Sequence, residues 1–108
     1  MITVKKFYAE WCGPCKMLTP IMENVKTKFS TISFEDIDID SQFEVAQKYY
    51  VRSVPTVIIE KNGEEIQRFA GLQSELAYTN AIMTMNWILF IIVELSFGYF
   101  IHVRKNVK

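Results

Sequence analysis

"ITVKKFYAEWCGPCKMLTPIM", residues 2–22, is the stretch on which the fold turns. Its first part, 2–9, is short and rich in β-branched and aromatic residues and predicts a strand, although Lys5 and Lys6 interrupt it. From Pro14 onward Leu18, Ile21, Met22, Val25 and Phe29 recur at the spacing of one helical face. Pro14 suits the first turn, and Pro20 is expected to kink the helix. Between strand and helix stand Cys12 and Cys15, the only two cysteines of the chain. At a helix N-terminus, free N–H groups and the positive end of the dipole favour an anion, so the first thiol is expected to ionise more readily than a free cysteine. The two-residue spacing lets the second sulfur attack a mixed disulfide formed on the first, while Gly13 and Pro14 shape the turn. The competing readings are a structural bridge or half of a zinc site. A zinc site needs further ligands, and the other candidate soft ligand, His102, is distant in sequence.

Working outward, 32–39 reads as a second strand and 41–50 as a short helix opened by a capping box of Ser41 and Glu44. Residues 54–60 and 65–71, joined by "KNGE", read as a hairpin, and a helix is expected from Ser74. The order β-α-β-α-β-β predicts a small α/β layer structure with a C-terminal helix. The 108 residues, half of them hydrophobic, suffice for one compact domain, expected over 1–80. Twelve basic residues balance twelve acidic ones, so no overall field calls for nucleic acid. Two cysteines are too few for a disulfide-stapled secreted scaffold, and the N-terminus lacks the apolar run of a signal peptide. A reducing, cytoplasmic setting is therefore expected.

Taken together, "AEWCGPCKM", "TPIMENV", "SVPT" and "EKNGEEIQRFAG" resemble, in this order, the motifs of the thioredoxin family over residues 2 to about 80. The resemblance implies a thioredoxin-like fold and reduction of protein disulfides through the CGPC dithiol, as part of electron transport in cell redox homeostasis. It further implies that Cys12 is the exposed attacking thiolate, Cys15 the buried resolving thiol, and Trp11 a platform beside them. Val54 and Pro55 would form a cis peptide lying against the dithiol and pairing with an incoming substrate strand. Gly13, Pro14 and Gly71 complete the implied substrate surface. Disulfide-containing proteins would be the substrates and a thioredoxin reductase the recycling partner, with no cofactor and no metal.

Two departures from the family pattern stand out. The family normally begins with an additional strand and helix, so this chain reads as a truncated form in which 32–39 becomes a sheet edge, guarded by Glu35, Asp36, Asp38 and Asp40. "DIDID" lacks the glycine and glutamate of a calcium loop, having Ser41 and Gln47 at those positions. The family also keeps a buried aspartate six residues before the first cysteine, paired with a lysine on the neighbouring strand. Here Lys6 and Asp36 occupy those places in reverse. If both are buried, Asp36 is the expected proton acceptor for Cys15 and Lys6 the stabiliser of thiolate; the alternative is a solvent-facing pair.

The tail, 81–108, is a separate hydrophobic segment with three basic residues and one acidic one. Its apolar run is long enough to cross a bilayer, and Arg104, Lys105 and Lys108 follow it. The run reads as a membrane tether, as a helix packing on the domain or in an oligomer, or as a terminus without a role. A second functional class stays open beside the enzyme: a thioredoxin-like binding or assembly module whose dithiol is incidental.

Overall fold

The structure is a computed structural model that describes residues 1–84. The chain divides into two units, Met1–Tyr78 and Thr79–Lys108, and the first carries the sheet. Strand β1 (Ile2–Tyr8) leads into helix α1 (Gly13–Lys28), followed by β2 (Ser33–Asp38), α2 (Phe43–Lys48), β3 (Thr56–Lys61) and β4 (Glu64–Ala70). Residues 75–84 are helical, with the Ser74 hydroxyl accepting the Ala77 N–H at 3.2 Å. The apolar run at 87–103 and His102 lie outside the described residues. Among the described residues no helix is long and apolar enough to cross a membrane.

The sheet has the order β2-β1-β3-β4, with β2 parallel to β1 and the other neighbours antiparallel. Among the described residues β2 is thus an edge strand, and Glu35 and Asp36 on it are exposed. Five of the six β3 positions are buried, as a strand covered on both faces requires. On one face, Phe7, Ile37, Ala46 and Ile58 form a core with Ile39, Val45, Tyr49 and Val51 against it. Fully burying a side chain such as Phe7 or Ile58 contributes about 1.5–3 kcal/mol. On the other face α1 directs Cys15, Leu18, Met22 and Val25 inward, and its Lys26 ammonium lies 6.0 Å from the centre of the Phe34 ring. Tyr78 is fully buried, edge-on to Phe69 with ring centroids 5.2 Å apart.

Local chemistry explains most element ends. The β3–β4 turn places Asn62 and Gly63 at φ 53° and 83°, the left-handed region a two-residue hairpin turn demands. The chain stays helical through Pro20, inside α1. The capping box of Ser41 and Glu44 does not form: α2 starts at Phe43 after Gln42, with no side chain capping it. The preceding turn is held from Asp38 instead, whose carboxylate accepts the Asp40 N–H at 2.9 Å and whose carbonyl accepts the Gln42 N–H at 2.7 Å. Glu44 remains in the first turn, where its charge favours the helix dipole without a capping contact.

Candidate active site

Cys12 ends the β1–α1 connection in extended backbone (φ −88°, ψ 111°) and is itself the N-cap of α1. Its sulfur accepts the Cys15 N–H at 3.1 Å. Pro14 occupies the first turn, where a missing N–H costs nothing, and that turn holds no acidic residue to neutralise the positive helix end. The two cysteines are joined as a disulfide. A cysteine as N-cap is unusual by propensity, since Ser, Thr, Asp and Asn lead there. Its sulfur takes the place of the capping oxygen, so the group that ends the helix is also the group that can react.

Both sulfurs belong to a small buried cluster with Ala9, against which Tyr8, Ile39 and Val54 pack. Cys12 retains only 4% of its accessible surface and Cys15 3%. The expected exposure of Cys12 is therefore not found in the disulfide state: Val54, Tyr8 and Ile39 shield the pair, while Gly13 and Pro14 beside it are exposed. The Val54–Pro55 peptide is cis. Gly71, at φ 93°, donates its N–H to the Pro55 carbonyl at 2.8 Å, which ties the end of β4 to the proline loop. A side chain at Gly71 would strain that backbone even though the space around it is open.

Trp11 is 69% exposed, and its indole N–H donates to the Asp40 carboxylate at 2.9 Å. In the sequence Asp40 stands out only as one of the charges that guard the sheet edge. Its bond to Trp11 follows from the parallel pairing of β1 and β2: Tyr8 stands opposite Asp38, so the residues just past both strand ends meet at the same rim. Ligand and active sites of parallel sheets gather at that carboxyl end.

Behind the dithiol lies a cleft of about 240 Å³ lined by Lys6, Tyr8, Ala9, Glu10, Cys15, Lys16, Thr19 and Asp36. Lys6 stands directly opposite Asp36 in the β1–β2 register, and its ammonium is 3.6 Å from the carboxylate. The same ammonium sits 5.4 Å from the centre of the Tyr8 ring. The structure thus brings both members of the reversed pair to the cleft that Cys15 lines. It does not bury both: the Lys6 side chain is 10% exposed and that of Asp36 49%. The reason is topological, since Lys6 is on an inner strand and Asp36 on the edge. Tyr8, on the same strand face as Lys6, has its phenol pushed up by desolvation and then by the negative charges of Asp38, Glu10 and Asp36. Among the described residues no three His, Cys, Asp or Glu side chains cluster to hold a metal ion.

The family model for thioredoxin matches residues 1–84. A thioredoxin of Chlamydia pneumoniae is 45% identical over 76 residues, covering 70% of this chain and 74% of that protein. Thioredoxin-2 of Saccharomyces cerevisiae is 43% identical over 70 residues, covering 65% of this chain and 67% of the yeast protein. Among solved structures, Fasciola hepatica thioredoxin superimposes with a TM-score of 0.72 at 34% identity, covering 77% of this chain and 79% of that one. The oxidised form of mitochondrial thioredoxin 3 from Saccharomyces cerevisiae gives a TM-score of 0.72 at 30% identity, with 77% of each chain covered.

Proposed function

The chain belongs to the thioredoxin family and is a thiol–disulfide oxidoreductase of the protein-disulfide-reductase type, and from that premise we propose that Cys12 attacks substrate disulfides and Cys15 resolves the mixed disulfide. The observation that carries this assignment is the Cys15 N–H aimed at Cys12 Sγ on an N-terminal helix end without acidic residues, which favours a negative sulfur at Cys12.

In the first step Cys12 thiolate attacks one sulfur of a protein disulfide. The S–S bond of the substrate breaks, one substrate sulfur leaves and takes up a proton from water, and a mixed disulfide with Cys12 forms. Cys15 then loses its proton to Asp36, directly or through water, while Lys6 stabilises the thiolate as it appears; the shared cleft supports these two roles. Cys15 thiolate attacks Cys12 Sγ, the mixed S–S bond breaks, the second substrate sulfur leaves as a thiolate and takes up a proton from Asp36 or water, and the Cys12–Cys15 disulfide remains. A reductase such as thioredoxin reductase returns two electrons to the pair.

The substrate surface is Trp11, Gly13, Pro14, Val54, Pro55 and Gly71. Trp11 offers an exposed ring fixed by Asp40, and Val54–Pro55 presents backbone beside the buried sulfurs, where an extended substrate segment gains main-chain hydrogen bonds. Because the disulfide is shielded, docking at this surface comes before exchange.

Turnover of insulin disulfides by the intact chain, with Cys12→Ser as control, tests the reaction: activity in the first and none in the second is expected. Activity in neither means a binding module instead. Limited alkylation of the reduced protein near neutral pH is expected to label Cys12 first, and preferential labelling of Cys15 overturns the assignment. For the tail, whose apolar sequence supports a tether or a packing helix, deletion from Met83 onward separates the two. Release from membranes with disulfide reduction intact supports the tether, and loss of stability or of assembly supports packing.

A further inference from the structure

We propose that Lys6 sets the redox poise of the Cys12–Cys15 pair: its buried ammonium stabilises the thiolate of the reduced form and makes the disulfide a stronger oxidant than a neutral side chain at this position would. The inference rests on the dithiol exchange just proposed and concerns its equilibrium rather than its rate.

Four charged side chains line the cleft that Cys15 shares: Lys6, Glu10, Lys16 and Asp36. In formal charge they cancel. In effective charge they do not, because Glu10, Lys16 and Asp36 are exposed and Lys6 alone is buried. Water and salt screen the three exposed groups, whereas a charge held out of water acts across the cleft at a much lower effective dielectric. Asp36 meets Lys6 at 3.6 Å but from the solvent side of an edge strand, so its compensation is partial. Tyr8, also on the cleft wall, has its phenol pushed up, first by desolvation and then by the charges of Asp38, Glu10 and Asp36, and adds no negative charge near neutral pH. The field at Cys15 is therefore positive.

A positive field distinguishes the two redox states, because the disulfide carries no charge and a thiolate does. When the pair is reduced by glutathione, the Cys12–Cys15 S–S bond breaks and a glutathione S–S bond forms. Two electrons pass from two glutathione thiols to the pair, and the two protons those thiols give up pass to Cys12 and Cys15 or, where one of these ionises, to water. Stabilising the ionised reduced form draws this equilibrium toward the dithiol. Asp36 opposes the effect weakly. The two members of the pair thus act on the poise with opposite sign and unequal size, which a mere structural ion pair would not do.

The test equilibrates the full chain and its variants with glutathione and glutathione disulfide mixtures at neutral to mildly alkaline pH, and reads the oxidised fraction by thiol alkylation and mass. Lys6→Met is expected to move the equilibrium constant about tenfold toward the disulfide, which corresponds to about 30 mV. Asp36→Asn is expected to move it about two- to threefold the other way. Lys6→Arg, which keeps the charge, is expected to stay near the parent value. Should Lys6→Met fail to fold, Lys6→Gln and the exposed-side Asp36→Asn carry the same two signs. No shift in Lys6→Met or Lys6→Gln, or shifts of the same sign at both positions, overturns the inference, and the parent chain's own exchange with glutathione then still supports the dithiol reading. A parent chain that does not exchange with glutathione at all overturns both the inference and the dithiol reading beneath it.

Discussion

Lys5 and Lys6 are neighbours on β1 and share almost nothing else. Lys5 faces the α2 side, where its ammonium donates to the Tyr49 hydroxyl at 2.8 Å, lies 3.3 Å from Glu60 and 3.5 Å from Glu35, and sits 4.7 Å from the centre of the Tyr49 ring. Glu60 is itself buried. Burial works to lower the Lys5 pKa, but the hydrogen bond with Tyr49, the bond and charge of Glu60, and the charge of Glu35 outweigh it and raise the value above that of an ordinary lysine. Lys6 faces the α1 side and is as deeply placed, yet among the described residues it has one carboxylate partner, half in water. The first lysine is neutralised from several directions and belongs to the scaffold. The second is left short of compensation beside the reacting sulfurs, and such residual charge is what allows a side chain to act on a charge that appears during reaction.

The sharpest way to break this contrast is Glu60→Ala. Removing the buried carboxylate partner of this partly buried lysine is expected to cost about 3 kcal/mol in urea denaturation, with disulfide reduction per folded molecule unchanged. A loss of reduction without a loss of stability would exchange the roles of the two faces. Asp36→Ala is expected to do the reverse: its half-exposed carboxylate limits the stability cost to about 1 kcal/mol, while resolution of the mixed disulfide slows about 100-fold in single-turnover kinetics. Equal effects on both quantities would mean that Asp36 only supports the fold. Asp40→Asn keeps a hydrogen-bond acceptor but removes the charge beside the Trp11 indole, and is expected to raise the KM for a protein disulfide about two- to threefold with kcat held.

The smallest expected effect is the dependence of stability on alkaline pH. Because the folded-state Lys5 pKa is raised, its contribution is fully present below the unfolded lysine value of about 10.4 and is lost as pH rises through the higher folded value. Denaturation midpoints are expected to fall on that alkaline side, and to fall less in Glu60→Gln. An unchanged alkaline slope in that variant would detach Glu60 from Lys5.

Much of this molecule could be read from short windows of its sequence. The strand-to-helix junction at "WCGPC" and the "NG" hairpin depend on chemistry within a few residues, a helix end that favours an anion and a turn that demands positive φ, whereas the cis proline at "SVPT" was legible only through the family resemblance. The Ser41–Glu44 pattern also lay within one window and failed, because the Asp38 turn had already fixed where α2 could start. That competition is invisible to a motif.

By itself the sequence determined the order of elements, the dithiol and its place before α1, and the fact that Lys6 and Asp36 carry opposite charges. Tertiary structure alone decided which of them is buried, that Cys12 is shielded in the disulfide, and that Trp11 is held by Asp40. Each of these depends on strand order and register, through which residues about thirty positions apart become neighbours and an edge strand is left open to water on one side only. Charge is written in a side chain, whereas its strength is set by the solvent it has lost, and that is a property of the assembled sheet.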